Sequence, residues 1–477
     1  MSEYRPNVLI IVIDALRARN LGCYSNRDGL SPNIDRFAQE SVLFEDNYST
    51  WNTTDQSLTT ILSGRYPRSH GIINHGDAVT EQDLRNFERS GTRMLAEILG
   101  ERDYHTIAVD WMARWFKLGF QYYGYPPAGG LAKKIHLYLK YMLNHIEIFR
   151  CYAGLDQDAG DSSLIEDVKG VLSTFLFSRH LAEVQDARYV TNAGLDLLDD
   201  SDCENFFLFL HYWDVHTPYN CPRRYKTYHG SDPEKRLLDR YEGAVRYVDE
   251  QLGRLFEEME ERGVLDNTMV IVTSDHGESL MEHDIYFDHH GLYEVTTHCP
   301  LLIRLPGQIP QGKRLNGFVQ HSDLVPTILH AAGIEDEQID PDGADLFPLI
   351  RGEVDSLHPF IYNEETYVQE KRALRTENYR YIEAPDGEGY CRYCHTVHGG
   401  PTELYDLQQD PQELINLVPE KPDLADELSG KLNRLVDRLQ KRLRDSGNGS
   451  AGRSDDELLD KDEQEELQQR FKGLGYH

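Results

Sequence analysis

The residues best equipped for chemistry form the run Thr273-Ser274-Asp275-His276-Gly277-Glu278, directly after the apolar stretch Met269-Val270-Ile271-Val272. A short β-branched segment ending in Asp-His reads as a buried strand. It delivers two kinds of metal ligand to its carboxyl end, where open α/β sheets place their sites. A second apolar run, over residues 8–13, also ends in an acid, Asp14. Two such strands, each finishing in a carboxylate and one adding an imidazole, suit one divalent ion held by hard oxygen and borderline nitrogen donors. The alternative is that Asp14 and Asp275 cap following helices, a common use of Asp.

Positioning these groups requires a sheet. Apolar runs at 8–13, 104–109, 206–211, 269–273 and 301–305 alternate with helical segments, the pattern of a mainly parallel sheet flanked by helices. The spacing predicts a long helix over 239–263, just before the Asp275 strand. After Ile334 the pattern changes to short segments with turns such as Asp386-Gly387-Glu388-Gly389. This divides the chain into a catalytic α/β part over 1–335, a smaller part over 336–443, and a tail over 444–477. The tail opens as a flexible linker, Asp445-Ser446-Gly447-Asn448-Gly449-Ser450-Ala451-Gly452, followed by a charged helix over 455–471. Residues 121–200 read as a helical insertion. Within it Leu131, Ile135, Tyr138, Leu139, Met142, Ile146 and Phe149 share one helical face beside Lys133, Lys134, Lys140 and Arg150. Such a helix over 131–150 can pack on its own domain, close over a site as a lid, or touch an anionic membrane surface weakly.

At 477 residues and 39% hydrophobic, the chain can bury one large core with a smaller companion. Its formal net charge of -32, with Arg outnumbering Lys, argues against nucleic acid as a partner, because phosphate backbones would be repelled. Adaptation to a high-salt cytoplasm, where like charges are screened within a few Å, accounts for the same surface; an ordinary acidic protein is the alternative. The start, Met1-Ser2-Glu3-Tyr4-Arg5, lacks a basic leader region, and the apolar run after it is too short to span a bilayer, so a cytoplasmic location is expected. The seven scattered cysteines do not make a disulfide framework. Only Cys391-Arg392-Tyr393-Cys394-His395 has metal-site spacing, as half of a zinc site or as a loop between strands.

Several motifs in order resemble the sulfatases of the alkaline phosphatase superfamily. They are Arg5-Pro6-Asn7-Val8 leading to Asp14, Leu21-Gly22-Cys23-Tyr24, Ser31-Pro32-Asn33-Ile34-Asp35-Arg36, Gly64-Arg65-Tyr66-Pro67 with His70-Gly71, and Asp214-Val215-His216-Thr217-Pro218-Tyr219. Further on come Asp323-Leu324-Val325-Pro326-Thr327, Leu346-Phe347-Pro348-Leu349, Arg375-Thr376-Glu377-Asn378-Tyr379 and Leu404-Tyr405-Asp406-Leu407. The resemblance implies an alkaline-phosphatase-like α/β fold, with a smaller C-terminal α+β subdomain of antiparallel sheet and helix. It also implies a metal-dependent ester hydrolase acting on a small-molecule, glycan or lipid-headgroup ester.

The departures from that family sharpen the chemistry. Sulfatases carry a Cys or Ser, converted to formylglycine, about ten residues before the Gly-Arg-Tyr-Pro-like segment; that position falls here on Thr54, with Gln56 and Leu58 where Pro and Arg are expected. Threonine is not the substrate of that conversion. A threonine alkoxide attacks phosphorus once a metal lowers its pKa, and the adjacent Thr53 could shift into register. Alternatively the stretch is a helix start with Thr54 or Asp55 as cap. Ala15 stands where a second aspartate is usual, and Asp275-His276 replaces Asp-Asn, which moves metal preference from Ca or Mg toward Mn, Zn or Fe. The sulfate-gripping Lys and His align near Asp110-Trp111-Met112-Ala113 and are missing, while a later Lys corresponds to His289. The resemblance thus implies one metal on Asp14, Thr54, Asp275 and His276, with His216, His289 and His290 around the ester and Arg65 and His70 as buttresses. Three functions fit: hydrolysis or transfer of a phosphate or phosphonate ester, true sulfuric ester hydrolysis, and inactive binding of an anionic glycan or headgroup. Oligomeric state is not encoded in any motif.

Overall fold

The structure, a computed structural model, describes residues 5–25, 29–124, 186–199, 205–336, 338–392 and 395–446. The strands in chain order are β1 (Asn7–Ile13), β2 (Val42–Phe44), β3 (Asn47–Tyr48), β4 (His105–Val109), β5 (Tyr122–Tyr123), β6 (Phe206–Tyr212), β7 (Thr268–Thr273), β8 (Leu301–Arg304), β9 (Lys313–Leu315), β10 (Val319–Gln320), β11 (Ile361–Glu365), β12 (Lys371–Arg375), β13 (Tyr379–Glu383) and β14 (Thr402–Asp406). Eight of them make the main sheet in the order β5-β4-β6-β1-β7-β8-β2-β9. Within it β4, β5, β6, β1 and β7 run parallel, and β8 pairs antiparallel with both of its neighbours.

Both faces of this sheet are covered, which is why its strands read as unbroken apolar runs. Period-two alternation sends Val8, Ile10 and Val12 to one face, against Leu58, Ile61 and Leu62 of the helix Thr54–Ser63. Leu9, Ile11 and Ile13 go to the other, against Tyr241, Val245, Val248 and Leu252 of the helix Pro233–Glu261. The long helix begins six residues before the sequence-based boundary of 239, because the Asp232 carboxylate accepts from Lys235 N at 3.2 Å and Pro233 opens the first turn.

The first face also carries Ala108, Phe207, Phe209, Met269 and Ile271. Continuing the same alternation puts Asp110, His211, Asp14 and Asp275 on that face at the carboxyl ends of adjacent strands. This is the side on which the helix Thr54–Ser63 packs.

The C-terminal part is an antiparallel sheet, β11-β12-β13-β14, backed by the helix Pro422–Ser446. Ala425, Leu428, Leu432, Leu435, Val436 and Leu439 lie buried against Tyr362, Leu374, Tyr381 and Leu404. That helix runs through Asp445 and Ser446, two residues into the stretch read as linker; Lys441 Nζ pairs with Asp445 at 2.9 Å across one turn. The subdomain also supports the loop before Thr54, where Glu364 N donates to Thr50 O at 3.1 Å.

The two ends of the 121–200 segment belong to the main layers. Tyr122–Tyr123 pairs with β4, and the helix Ala187–Asp199 packs Val190 and Ala193 among the side chains of Leu208 and Leu210. The amphipathic stretch 131–150, Cys394, and most of the linker with the helix over 455–471 lie outside the described residues. Among the described residues no helix is long and apolar enough to cross a membrane.

Candidate functional site

Asp14, Asp275, His276 and Thr54 meet at the carboxyl end of the main sheet. All four are fully buried. Thr54 Oγ1 lies 3.5 Å from Asp14 Oδ2 and 3.5 Å from His276 Nε2. His276 Nε2 is 3.4 Å from Asp275 Oδ2 and 3.7 Å from Asp14 Oδ1. Neither aspartate caps a helix through its side chain. The second oxygen of Asp275, Oδ1, accepts from His276 N at 2.9 Å and Ala15 N at 3.3 Å. Ala15 sits at φ 59°, the turn that carries its N–H to Asp275.

This arrangement fits a divalent ion. One ligand atom each from Asp14, Asp275 and His276 falls within 4.8 Å of the others, and Asp14 Oδ1 and Asp275 Oδ2 are buried without a hydrogen-bond donor. Uncompensated buried carboxylate oxygens are costly, and a cation removes that cost. His276 donates its Nδ1–H to Gly277 O at 2.8 Å, which leaves the Nε2 lone pair facing the cluster.

The electrostatics are those of two close acids ringed by histidines. Burial favours neutral Asp14, but the charges of His216, His211 and His276 outweigh it and hold the carboxyl well below the usual carboxylate range. Burial and the Asp14 charge push Asp275 the other way, up. Two carboxylates this close pull their ionisations apart.

Thr54 is the first residue of the helix Thr54–Ser63, and Thr53 is its N-cap. The hydroxyl of Thr53 turns away and donates to Gln56 Oε1 at 2.6 Å. Of the two threonines, Thr54 is the one whose hydroxyl joins the acids and His276.

His216 and His289 border this centre. The rings of His276 and His289 stack at 4.3 Å, and His216 stands 5.5 Å from His289. His216 donates Nδ1–H to Thr217 O at 2.7 Å, and His289 donates Nδ1–H to Asn52 O at 2.7 Å, so each presents Nε2 on its other side. Burial, then the His276 charge, push His289 well below the ordinary histidine value. His290 is not brought into this group: its Nε2 lies 3.7 Å from Cys391 Sγ and its ring 5.2 Å from that of His398. Consecutive residues in an extended segment point to opposite sides, and the pair His289-His290 is divided in that way. Arg65 and His70 are structural: Arg65 donates to Ser90 O at 2.8 Å and Asp340 O at 3.1 Å, and His70 Nδ1 accepts from Ile72 N at 3.2 Å.

His211, Asp110, His75 and Arg114 escaped the sequence reading as site residues, and Asp55 entered it only as a helix cap. His211, inside β6, bridges Asp110 Oδ1 at 2.9 Å and Asp14 Oδ2 at 3.4 Å. Burial opposes its charge, yet hydrogen bonds and charges from Asp110 and Asp14 push it up to about 10. The strand alternation that selects Asp14 also selects His211 and Asp110. Beside Thr54, Asp55 Oδ2 pairs with His75 Nδ1 at 2.9 Å and lies 3.8 Å from Arg114 Nη1. Arg114 follows immediately after the segment that lacks the usual sulfate-gripping Lys and His, so a cation still stands beside Asp55 in the helix Thr54–Ser63.

The sulfatase family profile matches residues 6–334, and a profile of the C-terminal region of N-sulphoglucosamine sulphohydrolase matches residues 281–442. The chain is 25% identical to an arylsulfatase of Clostridium perfringens over 87% of this chain and 90% of that protein. It is 26% identical to human arylsulfatase A, over 87% of this chain and 83% of that protein. The crystal structure of a phosphonate monoester hydrolase of Agrobacterium radiobacter shares the fold at TM-score 0.65 and 19% identity, covering 94% of this chain and 100% of that one. With the family profile spanning most of a chain whose strand ends gather two acids, an imidazole and a hydroxyl, this protein belongs to the sulfatase family, ester hydrolases of the alkaline phosphatase superfamily.

Proposed function

We propose that this chain hydrolyses phosphate or phosphonate esters, or transfers their phosphoryl group, with Thr54 as nucleophile beside one divalent metal site. The substrate class is a small-molecule, glycan or lipid-headgroup ester. The observation that carries the reading is the position of Thr54 Oγ1, 3.5 Å from both Asp14 Oδ2 and His276 Nε2. Asp14, Asp275, His276 and Thr54 would hold the ion, with manganese, zinc or iron favoured by the mixed oxygen and nitrogen donors and calcium or magnesium the harder alternatives. When bound, such an ion lowers the pKa of a coordinated hydroxyl and withdraws charge from the ester oxygens.

The protein's own groups supply the rest. Thr54 Oγ1 attacks phosphorus as its proton passes to Asp14 Oδ2, its acceptor at 3.5 Å, and the bond to the leaving oxygen breaks, giving a phospho-threonine. His216 Nε2 protonates the leaving oxygen, since its Nδ1–H is engaged by Thr217 O. His289 is neutral and oriented by Asn52, so its Nε2 is an acceptor for the proton of the water that then cleaves the Thr54–phosphorus bond. Threonine supports this second attack better at phosphorus than at sulfur. A formylglycine hydrate expels sulfate through its second hydroxyl, and threonine has only one.

The test is a side-by-side assay of an aryl phosphodiester, an aryl phosphonate monoester and an aryl sulfate with added manganese or zinc. Thr54→Ala is expected to lose at least about a hundredfold with the phosphorus esters, and Thr53→Ala far less. The second reading, true sulfuric ester hydrolysis, is favoured by the arylsulfatase relatives and wins if the aryl sulfate is the better substrate. Full activity in Thr54→Ala defeats the nucleophile assignment, and no turnover of any ester by a metal-loaded protein leaves anion binding as the function.

A further inference from the structure

We propose that His290, Cys391 and His398 form a second, zinc-type metal site with three protein ligands, separate from the Asp14–Asp275–His276 centre. The proposal goes beyond the esterase reading and does not depend on it.

The three residues come from two distant parts of the chain. His290 follows the catalytic-side His289, and Cys391 and His398 lie on the loop between β13 and β14. All three are buried, at 2%, 0% and 3% exposure. One donor atom from each lies within 4.8 Å of the others, and Cys391 Sγ is 3.7 Å from His290 Nε2. In a tetrahedral zinc site, with Zn–S about 2.3 Å and Zn–N about 2.0–2.1 Å, ligand atoms stand about 3.6 Å apart. The sulfur–nitrogen separation of 3.7 Å is close to that value.

The protonation pattern around the cluster points the same way. His398 donates Nδ1–H to His283 O at 3.2 Å, which fixes the tautomer and leaves Nε2 as a lone pair. That Nε2 is buried without a hydrogen-bond partner. A buried orphan nitrogen is costly to leave uncompensated, and a metal is a natural acceptor of its lone pair. His290 has Asp288 Oδ1 3.3 Å from its Nδ1, so its other nitrogen is the one presented to Cys391. Histidines oriented through the far nitrogen by a carboxylate and a main-chain carbonyl are the usual outer partners of metal-bound imidazoles.

The backbone is held for the purpose. Cys391 N donates to Thr396 O at 2.8 Å and His395 N to Cys391 O at 3.0 Å, closing a tight turn that carries the loop round to His398. The His398 carbonyl accepts from the buried Lys371 Nζ at 2.6 Å, which is itself paired with Glu403 at 2.6 Å. Two imidazoles and one thiolate are soft to borderline donors, a set that selects zinc over magnesium or calcium. Binding deprotonates the Cys391 thiol and releases that proton to solvent. The ion would then pin the C-terminal loop to the segment that aims His289.

The experiment is cobalt substitution of the full chain, combined with elemental analysis of the zinc-loaded protein. A thiolate-to-cobalt charge-transfer band in the near ultraviolet is expected in wild type and in Asp14→Ala, and is lost in Cys391→Ser. Zinc content is expected to fall by one equivalent in Cys391→Ser, and His398→Ala is expected to weaken retention at least about tenfold, while the Asp14-dependent equivalent stays. If Cys391→Ser fails to fold, the wild-type band alone decides. Cobalt uptake without a thiolate band, or zinc content unchanged in both Cys391→Ser and His398→Ala, overturns the site and shows an ordinary buried thiol beside two histidines. Loss of the equivalent only in Asp14→Ala would defeat this proposal while leaving the esterase centre intact, and the reverse pattern would do the opposite.

Discussion

Asn52 and His289 clasp each other in both directions: His289 donates Nδ1–H to Asn52 O at 2.7 Å, and Asn52 Nδ2 donates to His289 O at 3.0 Å. The same amide reaches Gly291 O at 3.2 Å. The residue two places before Thr54 thereby fixes the ring that stacks on His276. Because the backbone half of this clasp survives in Asn52→Ala, the ring keeps its tautomer but loses its fixed distance.

Asn52→Ala is therefore expected to lower kcat by about tenfold to a hundredfold with KM nearly unchanged, since misplacement acts in the transition state. It should also cost about 1–3 kcal/mol of stability, because the buried His289 carbonyl loses its donor, while Gly291 O keeps the Thr296 hydroxyl at 2.6 Å. Steady-state kinetics with the best aryl ester and a urea titration read the two effects. A change confined to KM would show that the clasp serves substrate binding instead.

Acid sensitivity is expected from His70. Its Nδ1 accepts the Ile72 N–H, and burial, then the Arg65 charge, push its pKa down to about 3. The unfolded chain binds this proton near pH 6.5 and the folded one does not until about pH 3, so the unfolded state takes up protons first between those values. Stability from this group is complete above the unfolded value and is lost as pH falls, by about 1.4 kcal/mol per pH unit. His70→Gln should flatten that slope in denaturant titrations between pH 6.5 and 4, the range set by its shift. An unchanged slope would assign the acid sensitivity elsewhere.

Arg380 is the tie between the C-terminal sheet and the segment 292–297. It is fully buried, donates to Leu292 O at 2.9 Å and Thr297 Oγ1 at 3.1 Å, and pairs with Glu294 and Glu413, each at 2.5 Å. Arg380→Met leaves the buried Glu413 carboxylate facing an apolar side chain, while the half-buried Glu294 keeps Tyr48, and a loss of about 3–5 kcal/mol is expected from breaking the buried Arg380–Glu413 pair. A loss below about 1 kcal/mol in the urea midpoint, the worth of an exposed pair, would mean that Glu294 and Glu413 find other partners.

Much of this architecture was legible because the main strands are buried on both faces. Residues 8–13 and 269–273 give unbroken apolar runs, and their terminal acids mark the carboxyl edge directly. His211 was hidden for the same reason, since an unbroken run shows no face and only the alternation Phe207, Phe209, His211 reveals which side its ring takes. Asp110 opens a segment judged by the Lys and His it lacked, so its own carboxylate went unweighed. The separation of His289 from His290 was invisible because adjacent residues carry no directional signal until the turn around Gly291, at φ 88°, is known. The Cys391 turn showed its cysteine, but His290 meets it from 101 residues away, a contact that local spacing cannot encode.

The opposed pKa directions of Asp14 and Asp275 yield a test that separates metal binding from mere burial of two acids. Without a cation the pair cannot both ionise comfortably; Asp275 is pushed up by burial and by Asp14, which keeps its charge through His216, His211 and His276. A divalent ion reverses this, and at a hundred times its Kd it adds about 2.7 kcal/mol to the folded state. Asp275→Asn keeps an oxygen to accept from His276 N and removes the like charge. In a strong chelator the variant should match or exceed wild type in thermal stability. With added manganese the order should invert, because wild type gains stability and the variant gains little. Melting curves in chelator and in manganese, run on both proteins, give the four values needed. A variant less stable than wild type in chelator, and equally stabilised by manganese, would show that Asp275 is a structural acid and that the ion, if any, binds without it.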